Sequence, residues 1–277
     1  MSQVLLSGFA DEISPDLEEQ LDTLATEGIK HIEFRGVWNK GVMTLTDNEL
    51  DKVKAALDKR GFKISSIGSP IGKVPIDADF EEHLVSFRRA IAIAKKLGAP
   101  YIRLFSFYLP KDQNPLQYRD EVMRRMKGLV DAAAGSGLIL LHENEADIYG
   151  MPSDRCLDIL QTVNSPTLRA AFDFANFVHA GEYPNDKAFA RLRPYIEYIH
   201  VKDMLMAEQR VVPAGEGDGQ VKEILKELLG SGWTGFLSLE PHLAHAGQFR
   251  GFSGPENFRR AAQALKKILN ELGVSYA

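Results

Sequence analysis

The stretch LILLHENEADIYG, residues 138–150, places the apolar run LILL directly before the polar run HENE. An apolar run of this length, bounded by glycines, is typical of a buried strand. Charged and amide side chains are costly to bury unless they are paired or bind something. The strand therefore either surfaces at HENE, where water solvates the charges, or ends at a functional site. The rest of the chain decides between the two.

Strand-like and helix-like segments alternate along the chain. Seven further strand-like segments accompany LILLHENE: VLLSGFA from Val4, HIEFRG from His31, KISSIGS from Lys63, YIRLFSF from Tyr101, LRAAFDFANF from Leu168, IEYIHVKD from Ile196 and GFLSLEPH from Gly235. Each is followed by a segment with helical apolar spacing, such as Leu17, Leu21 and Leu24 after the first. This alternation indicates parallel strands joined by right-handed crossovers.

Eight such units predict an α/β protein with a (β/α)8 TIM barrel, a single domain over residues 1–277. A doubly wound open sheet is the alternative, but GFADEIS after the first strand lacks the G-x-G-x-x-G turn of that fold. Thr46, Asp79 and Ser153 are the expected N-caps of three helices. Long loops follow the seventh and eighth strands, at the barrel end where such enzymes build their sites.

Composition narrows the function classes. The net charge of −5 and the absence of any long Lys/Arg run argue against nucleic acid or an anionic membrane as a partner. Cys156 is the only cysteine, which excludes a disulfide framework and a cysteine-based metal cluster. The sequence has no evident signal peptide or transmembrane segment, so we expect a cytoplasmic protein.

Four consecutive strands end in metal-capable side chains: Glu143, Asp173, His200 and Glu240. Neighbouring barrel strands end side by side, so these groups are expected to converge on one divalent ion. Three carboxylates and an imidazole favour Mn²⁺, with Mg²⁺, Co²⁺ or Zn²⁺ as alternatives. Without a cation the carboxylates would repel one another. Solvated strand ends are the alternative interpretation. Glu145, two residues beyond Glu143, is assigned to substrate because it lies farther from the barrel.

Other polar residues share these strand faces. By strand alternation, Lys202 and His242 point into the barrel. Lys202 is expected to neutralise an enolate or assist a leaving group, or else to pair with Asp203 or Glu33. His242 is expected either to bind substrate or to have a structural role.

Basic residues and a glycine-rich loop suggest anion contacts. Arg35 on the second strand and Arg103 on the fourth either touch substrate or form buried ion pairs. GEGDG, residues 215–219, precedes a helix and is either a tight turn or a phosphate site at the helix N-terminus. Arg210 and Arg250, in the long loops, are further candidate anion contacts.

Across GFADEIS, HIEFRG, HENEADIYG, FDFAN, IHVKD, GEGDG and LSLEPH, the sequence resembles the sugar phosphate isomerase/epimerase family, the xylose isomerase-like TIM barrels. The resemblance covers essentially the whole chain. It implies a metal site at the four strand-end residues and a homodimer or tetramer. Many epimerases of the family have a substrate-binding histidine where this chain has Asn176, with His179 further on. Asn176 is therefore included among the candidate substrate contacts.

The predicted function is that of a metal-dependent isomerase or epimerase of a sugar, keto-sugar or cyclic polyol derivative. The metal would polarise a carbonyl and stabilise an enediolate, while Glu143 and Glu240 act as base and acid. The expected substrate-binding residues are Arg103, Glu145, Asn176, Lys202 and His242. Loss of a β-hydroxyl would instead give a dehydratase, as in the inosose and dehydroshikimate dehydratases of the family.

Two further alternatives remain open. A nuclease similar to endonuclease IV would hold three metals with a larger histidine set, but this chain has seven histidines and carries Ser66 and Arg103 at the tips of its third and fourth strands. A non-catalytic sugar-binding protein would keep its ligand affinity when Glu240 is changed to glutamine. In either isomerase or dehydratase the partner is a small carbohydrate.

Overall fold

The computed structural model describes residues 3–243 and 253–277. Eight parallel strands form its central sheet: β1 (Gln3–Gly8), β2 (His31–Phe34), β3 (Lys63–Ile67), β4 (Tyr101–Leu104), β5 (Ile139–Glu143), β6 (Leu168–Asp173), β7 (Ile196–Val201) and β8 (Phe236–Leu239). From β2 to β8 each strand pairs with the next, and β1 pairs with β8. A bridge between Phe9 and Glu33 joins β1 to β2. The predicted TIM barrel is confirmed.

Helices cover the outside of the barrel: α1 (Leu17–Thr26), α2 (Asp47–Arg60), α3 (Phe80–Leu97), α4 (Arg119–Ala132), α5 (Ser153–Val163), α6 (Phe174–His179), α7 (Ala190–Leu192), α8 (Val221–Gly230) and α9 (Gly254–Glu271). A π-helical turn, Asn185–Phe189, leads into α7. The apolar sides of the longer helices join the outward faces of the strands in one core, to which Cys156 of α5 also belongs. Among the described residues, no helix is both long and apolar enough to cross a membrane.

Shorter elements lie in the loops. The 3₁₀ turns are Ala10–Glu12, Val42–Thr44, Pro115–Tyr118 and Arg193–Tyr195. The antiparallel pairs are Gly36–Val37 with Lys40–Gly41 and Asp203–Leu205 with Arg210–Val212. The strand Ser275–Tyr276 pairs with the beginning of β1.

Two of the three predicted helix caps are present. Thr46 caps α2 in a reciprocal capping box, and Asp79 caps α3. The prediction for Ser153 is wrong: it is the first residue of α5, and Pro152 occupies the N-cap position. The Ser153 backbone N–H instead donates to the Glu182 carboxylate at 3.2 Å, so a residue distant in sequence satisfies this helix end.

The end of β6 also differs from the sequence prediction. LRAAFDFANF was predicted as one strand, but the strand ends at Asp173 and α6 begins at Phe174. The Asp173 carboxylate accepts the backbone N–H of Asn176 at 2.7 Å and so caps α6. A short apolar run does not by itself distinguish strand from helix. Here the Asp173 cap sets the residue at which the helix begins.

The barrel interior becomes more polar toward the carboxyl ends of the strands. Leu141, Ala171 and Tyr198 form a small apolar cluster inside the barrel. The hydroxyls of Ser7 and Ser65 lie 2.6 Å apart, and the Ser65 hydroxyl lies 2.8 Å from that of Tyr198. Charged residues follow at the strand ends. Apolar residues thus fill the middle of the barrel, and its polar residues lie at the carboxyl ends of the strands.

The GEGDG loop after β7 is organised around Asp203. The Asp203 carboxylate accepts the backbone N–H groups of Gly215, Gly217 and Gly219 at 2.8, 3.1 and 2.8 Å. A Cβ atom on Gly217 would lie 2.5 Å from Asp203 Oδ1, so glycine is needed there. The glycine loop therefore forms a tight turn around Asp203, which binds three of its amides. A phosphate site at the N-terminus of α8 stays a prediction.

The two arginines predicted as anion contacts have different outcomes. Arg210 lies on the short antiparallel pair beside this loop, is exposed, and pairs with Glu208. Arg250 lies outside the described residues.

We expect Asp203→Ala to lower the free energy of unfolding by about 3 kcal/mol, because it leaves several backbone N–H groups without their acceptor. Urea unfolding measures the change. Glu216→Ala is the matched control in the same loop, where the side chain is exposed and, within the described part of the chain, pairs with Arg260 alone. Its effect should stay below about 0.5 kcal/mol. Equal effects of the two substitutions would contradict the role assigned to Asp203.

Candidate metal centre and active site

The four predicted metal ligands meet at the carboxyl end of the barrel. Glu143 and Asp173 end β5 and β6. His200 lies in β7, and Glu240 directly follows β8. Each residue offers one ligand atom, these atoms all lie within 4.8 Å of one another, and all four side chains are buried. Below, these four residues are called the strand-end cluster.

Lys202 lies inside this arrangement. Its Nζ is 3.1 Å from Asp173 Oδ2 and 3.0 Å from Glu240 Oε2. The expected alternative pairing with Asp203 or Glu33 is wrong. The Asp203 carboxylate accepts backbone N–H groups of the glycine loop. Glu33 instead contacts His200 and Ser238. Lys202 therefore bridges two members of the strand-end cluster.

Arg103 approaches the cluster from β4. Its Nη1 lies 3.1 Å from Glu143 Oε2. The guanidinium carbon is 4.9 Å from the centres of both the Phe9 and the Phe105 rings, and the side chain is almost fully buried. Two aromatic faces thus hold the guanidinium against the carboxylate.

Arg35 joins the strand-end cluster to the tip of β1. Its Nη1 is 2.9 Å from Glu240 Oε1, and its Nε and Nη2 are each 2.7 Å from Asp11 and Glu12. His242 Nε2 lies 3.0 Å from Glu12 Oε1 and 3.6 Å from Glu240 Oε1. Both arginines therefore form the ion pairs that the sequence left as an alternative to substrate contact.

His200 has a carboxylate at each ring nitrogen. Nδ1 lies 2.9 Å from Glu143 Oε1, and Nε2 lies 3.0 Å from Glu33 Oε2. Burial alone would lower the pKa of His200, but Glu33 and Glu143 raise it well above its usual value. In this arrangement the imidazole is held as a cation between two anions.

The carboxylates of the cluster differ in their proton affinity. Burial alone would raise the pKa of Glu143, but His200 and Arg103 hold it at about 2. Burial opposes ionisation of Glu240 as well, yet Lys202 and His242 hold its pKa well below the usual range. Both glutamates are therefore ionised at neutral pH.

Asp173 behaves in the opposite way. Burial raises its pKa to about 7, and the nearby charges of Glu143 and Glu240 act in the same direction against Lys202. The three carboxylates are thus close enough to compete for the cations around them. This is the conflict that an added divalent cation would relieve.

A model of the xylose isomerase-like TIM barrel family matches residues 21–268. The chain belongs to this family. It is 24% identical over 181 residues to the 3-dehydroshikimate dehydratase of Bacillus anthracis, a match covering 65% of this chain and 64% of that protein. The chain spans 52 to 64% of the length of the curated relatives it matches.

Solved structures of other proteins share this fold. A D-tagatose 3-epimerase-like protein superposes with a TM-score of 0.79 at 17% identity, covering 99% of this chain and 98% of that one. A xylose isomerase-like TIM barrel protein of Mycobacterium smegmatis, in complex with magnesium, gives a TM-score of 0.67 at 20% identity, with 97% and 98% coverage.

In this xylose isomerase-like barrel, the candidate substrate residues fall into two groups. Arg103, Lys202 and His242 contact the strand-end cluster directly. Glu145 instead has its Oε2 2.8 Å from the Lys73 ammonium. Asn176 donates its backbone N–H to Asp173 and its side-chain amide to the Asn144 carbonyl at 2.8 Å. Asn176 therefore helps fix the loop after β6, and His179 is exposed beside Gln209.

Several residues around the site were not assigned a role from the sequence. Asn144 exchanges two hydrogen bonds of 3.0 Å with the backbone of Asp173. Glu12 and Asp11 bind Arg35. The carboxylates in GFADEIS directly follow a strand, as those of the cluster do, and this position was the available signal. Lys73 has no comparable signal, because it lies in a loop well beyond β3.

The donor set fits a divalent ion. Glu143 Oε2 and Asp173 Oδ2 are buried, and neither accepts a hydrogen bond from any described residue. Each has a cation 3.1 Å away, so its charge is only partly compensated. Three carboxylates and one imidazole form the oxygen-rich set that Mg²⁺ or Mn²⁺ prefers. The Lys202 ammonium is the group with which a metal would compete.

Lys202→Met is expected to tighten Mn²⁺ binding on the order of tenfold, because it removes a positive charge beside two candidate ligands. Isothermal titration calorimetry measures the affinity. Lys73→Met is the matched control, since that ammonium pairs with Glu145 outside the strand-end cluster. Unchanged or weaker Mn²⁺ binding by Lys202→Met, with the control unchanged, would contradict competition between lysine and metal.

Proposed function

We propose that this chain is a metal-dependent enzyme that removes a proton beside the carbonyl of a small carbohydrate, in the manner of an isomerase or epimerase. One observation carries the proposal: Glu143 ends β5 and Glu240 directly follows β8, so they lie on the two flanks of the strand-end cluster, and both are buried and ionised. Of two carboxylates so placed, one can take a proton from one side of a substrate, and the other, once it has taken up a proton from water, can return one to the opposite side.

The site residues have distinct roles in this proposal. Glu143, Asp173, His200 and Glu240 would hold the divalent ion. That ion, when bound, supplies the Lewis acidity that makes a C–H bond beside a carbonyl acidic. Glu240 accepts or returns the proton on the side of Arg35 and His242, and Glu143 does so on the side of Arg103.

The buried cations complete the arrangement. Arg103 and Lys202 are each within 3.1 Å of a cluster carboxylate, so both lie close enough to stabilise negative charge on a substrate oxygen. His242 is about one-third exposed and lies where a polar substrate group would approach. Phe9 and Phe105 pack against the Arg103 guanidinium and hold it beside the strand-end cluster.

A dehydratase is the second candidate, and the position of Lys202 favours it. An ammonium group that touches Glu240 can donate a proton to a departing β-hydroxyl while the glutamate takes the proton from carbon. The 3-dehydroshikimate dehydratase of B. anthracis is a sequence relative. Proton removal beside a carbonyl is common to both candidates, which differ in whether water is then lost.

Metal content is the first measurement for this proposal. Elemental mass spectrometry should find about one divalent ion per chain, and the ion should be lost in Glu143→Gln and Asp173→Asn, because each removes a charged oxygen ligand. Lys73→Met serves as the control that should retain the metal. About three ions per chain would favour the nuclease alternative, and none after reconstitution would contradict the proposal.

Deuterium exchange tests the chemistry. We expect the metal-loaded protein to exchange a substrate C–H in D₂O when it is screened by NMR against ketoses, inososes and 3-dehydroshikimate. Glu240→Gln should slow exchange by about 10²- to 10⁴-fold, the contribution typical of a general acid or base. Exchange without loss of water identifies the isomerase or epimerase. Formation of a dehydrated product identifies the dehydratase. Substrate binding without exchange would indicate a sugar-binding protein.

A further inference from the structure

We infer that Glu33 is a positioning residue for the metal centre: it binds His200 Nε2 and so directs Nδ1 toward the other three cluster residues. The inference rests on the proposed metal site, and it assigns a role to a residue that lies outside the four candidate ligands. It predicts that metal affinity depends on Glu33 although this carboxylate does not itself bind the ion.

The Glu33 carboxylate is buried and contacts two side chains, those of His200 and Ser238. The residue lies on β2, its side chain is fully buried, and its Oε2 is 3.0 Å from His200 Nε2. The hydroxyl of Ser238 donates to the same oxygen at 2.8 Å. The β7–β8 register places Ser238 directly beside His200. Glu33 therefore reaches His200 from a distant strand, while Ser238 holds the carboxylate in place.

The hydrogen-bond roles follow from the groups present. A carboxylate can only accept, so His200 Nε2 must carry the proton in that bond. Without a metal, Nδ1 carries a proton as well, which it shares with Glu143. A divalent ion would displace that proton, and the Nδ1 lone pair would then face the ion. Nδ1 is also the nitrogen beside Glu143, at 2.9 Å. The hydrogen bond between Glu33 and His200 Nε2 thus leaves Nδ1 to face a metal held by the strand-end cluster.

The ring plane is fixed by other contacts. The Phe9 and Tyr198 rings both meet the His200 ring edge to face, with centroids 5.3 and 5.7 Å away. A rotation of 180° about the Cβ–Cγ bond would leave the ring in the same plane between these neighbours. A flip would put carbon atoms opposite Glu33 and Glu143, so the two carboxylates select one orientation. Outer carboxylates of this kind orient metal-binding histidines in other proteins.

The test is a thermodynamic cycle that uses Mn²⁺ alone and isothermal titration calorimetry. Glu33→Gln keeps the side-chain volume and removes the charge. We expect it to weaken Mn²⁺ binding by about 10- to 100-fold in the wild-type background. In a His200→Asn background the same change should have an effect of less than about threefold, because there is no imidazole left to orient.

Ser66→Ala is the matched control, since Ser66 is buried beside Glu33 in the β2–β3 register and its hydroxyl has no hydrogen-bond partner among the described residues. It should change Mn²⁺ affinity by less than about threefold. If Glu33→Gln weakens binding equally in both backgrounds, or not at all, the positioning role is wrong while the metal site stands. If wild-type protein binds no Mn²⁺, the proposed metal centre itself fails.

A second measurement needs no substitution and covers the case in which Glu33→Gln does not fold. Two-dimensional ¹H–¹⁵N NMR of histidine-labelled, Mg²⁺-loaded protein reports which nitrogen of His200 carries hydrogen. We expect a proton on Nε2 and none on Nδ1. A proton on Nδ1, with Nε2 bare, would overturn the inference.

Discussion

The electrostatic balance at the carboxyl end of the barrel is the constraint on which the rest of the site depends. Glu143, Asp173 and Glu240 are buried close together, and each is balanced by a lysine or arginine that is itself buried. Removing one partner of such a pair leaves an uncompensated buried charge, which typically costs about 3–5 kcal/mol. The cations are therefore as necessary to the fold as the carboxylates are to the proposed chemistry.

Sequence reasoning identified the barrel and the strand-end cluster for one physical reason. Both depend on relations between neighbours: strand alternates with helix along the chain, and consecutive strands end side by side. Glu143, Asp173, His200 and Glu240 lie on four successive strands, so their convergence follows from the order of the chain. The role of these residues in metal binding and catalysis stays a prediction.

Contacts between residues on opposite sides of the barrel could not be predicted from the order of the strands. Glu33 and His200 are 167 positions apart, on strands that are not neighbours in the sheet. The partners of Lys202 depended on how far its side chain reaches over the strand ends, which alternation does not give. The start of α6 depended on a single cap, and the occupancy of the GEGDG amides on a carboxylate twelve or more residues away.

Glu12 links the tip of the first strand to residues that follow Glu240 in the chain. Its carboxylate binds Arg35, His242 and the hydroxyl of Ser253, and its carbonyl accepts the Ser253 N–H at 2.7 Å. Leu243 in turn donates its N–H to that hydroxyl. Both sides of residues 244–252 are thus attached to the tip of the first strand. The chain that follows Glu240 is therefore joined to the first strand by a side-chain network as well as by the backbone pairing of β1 with β8.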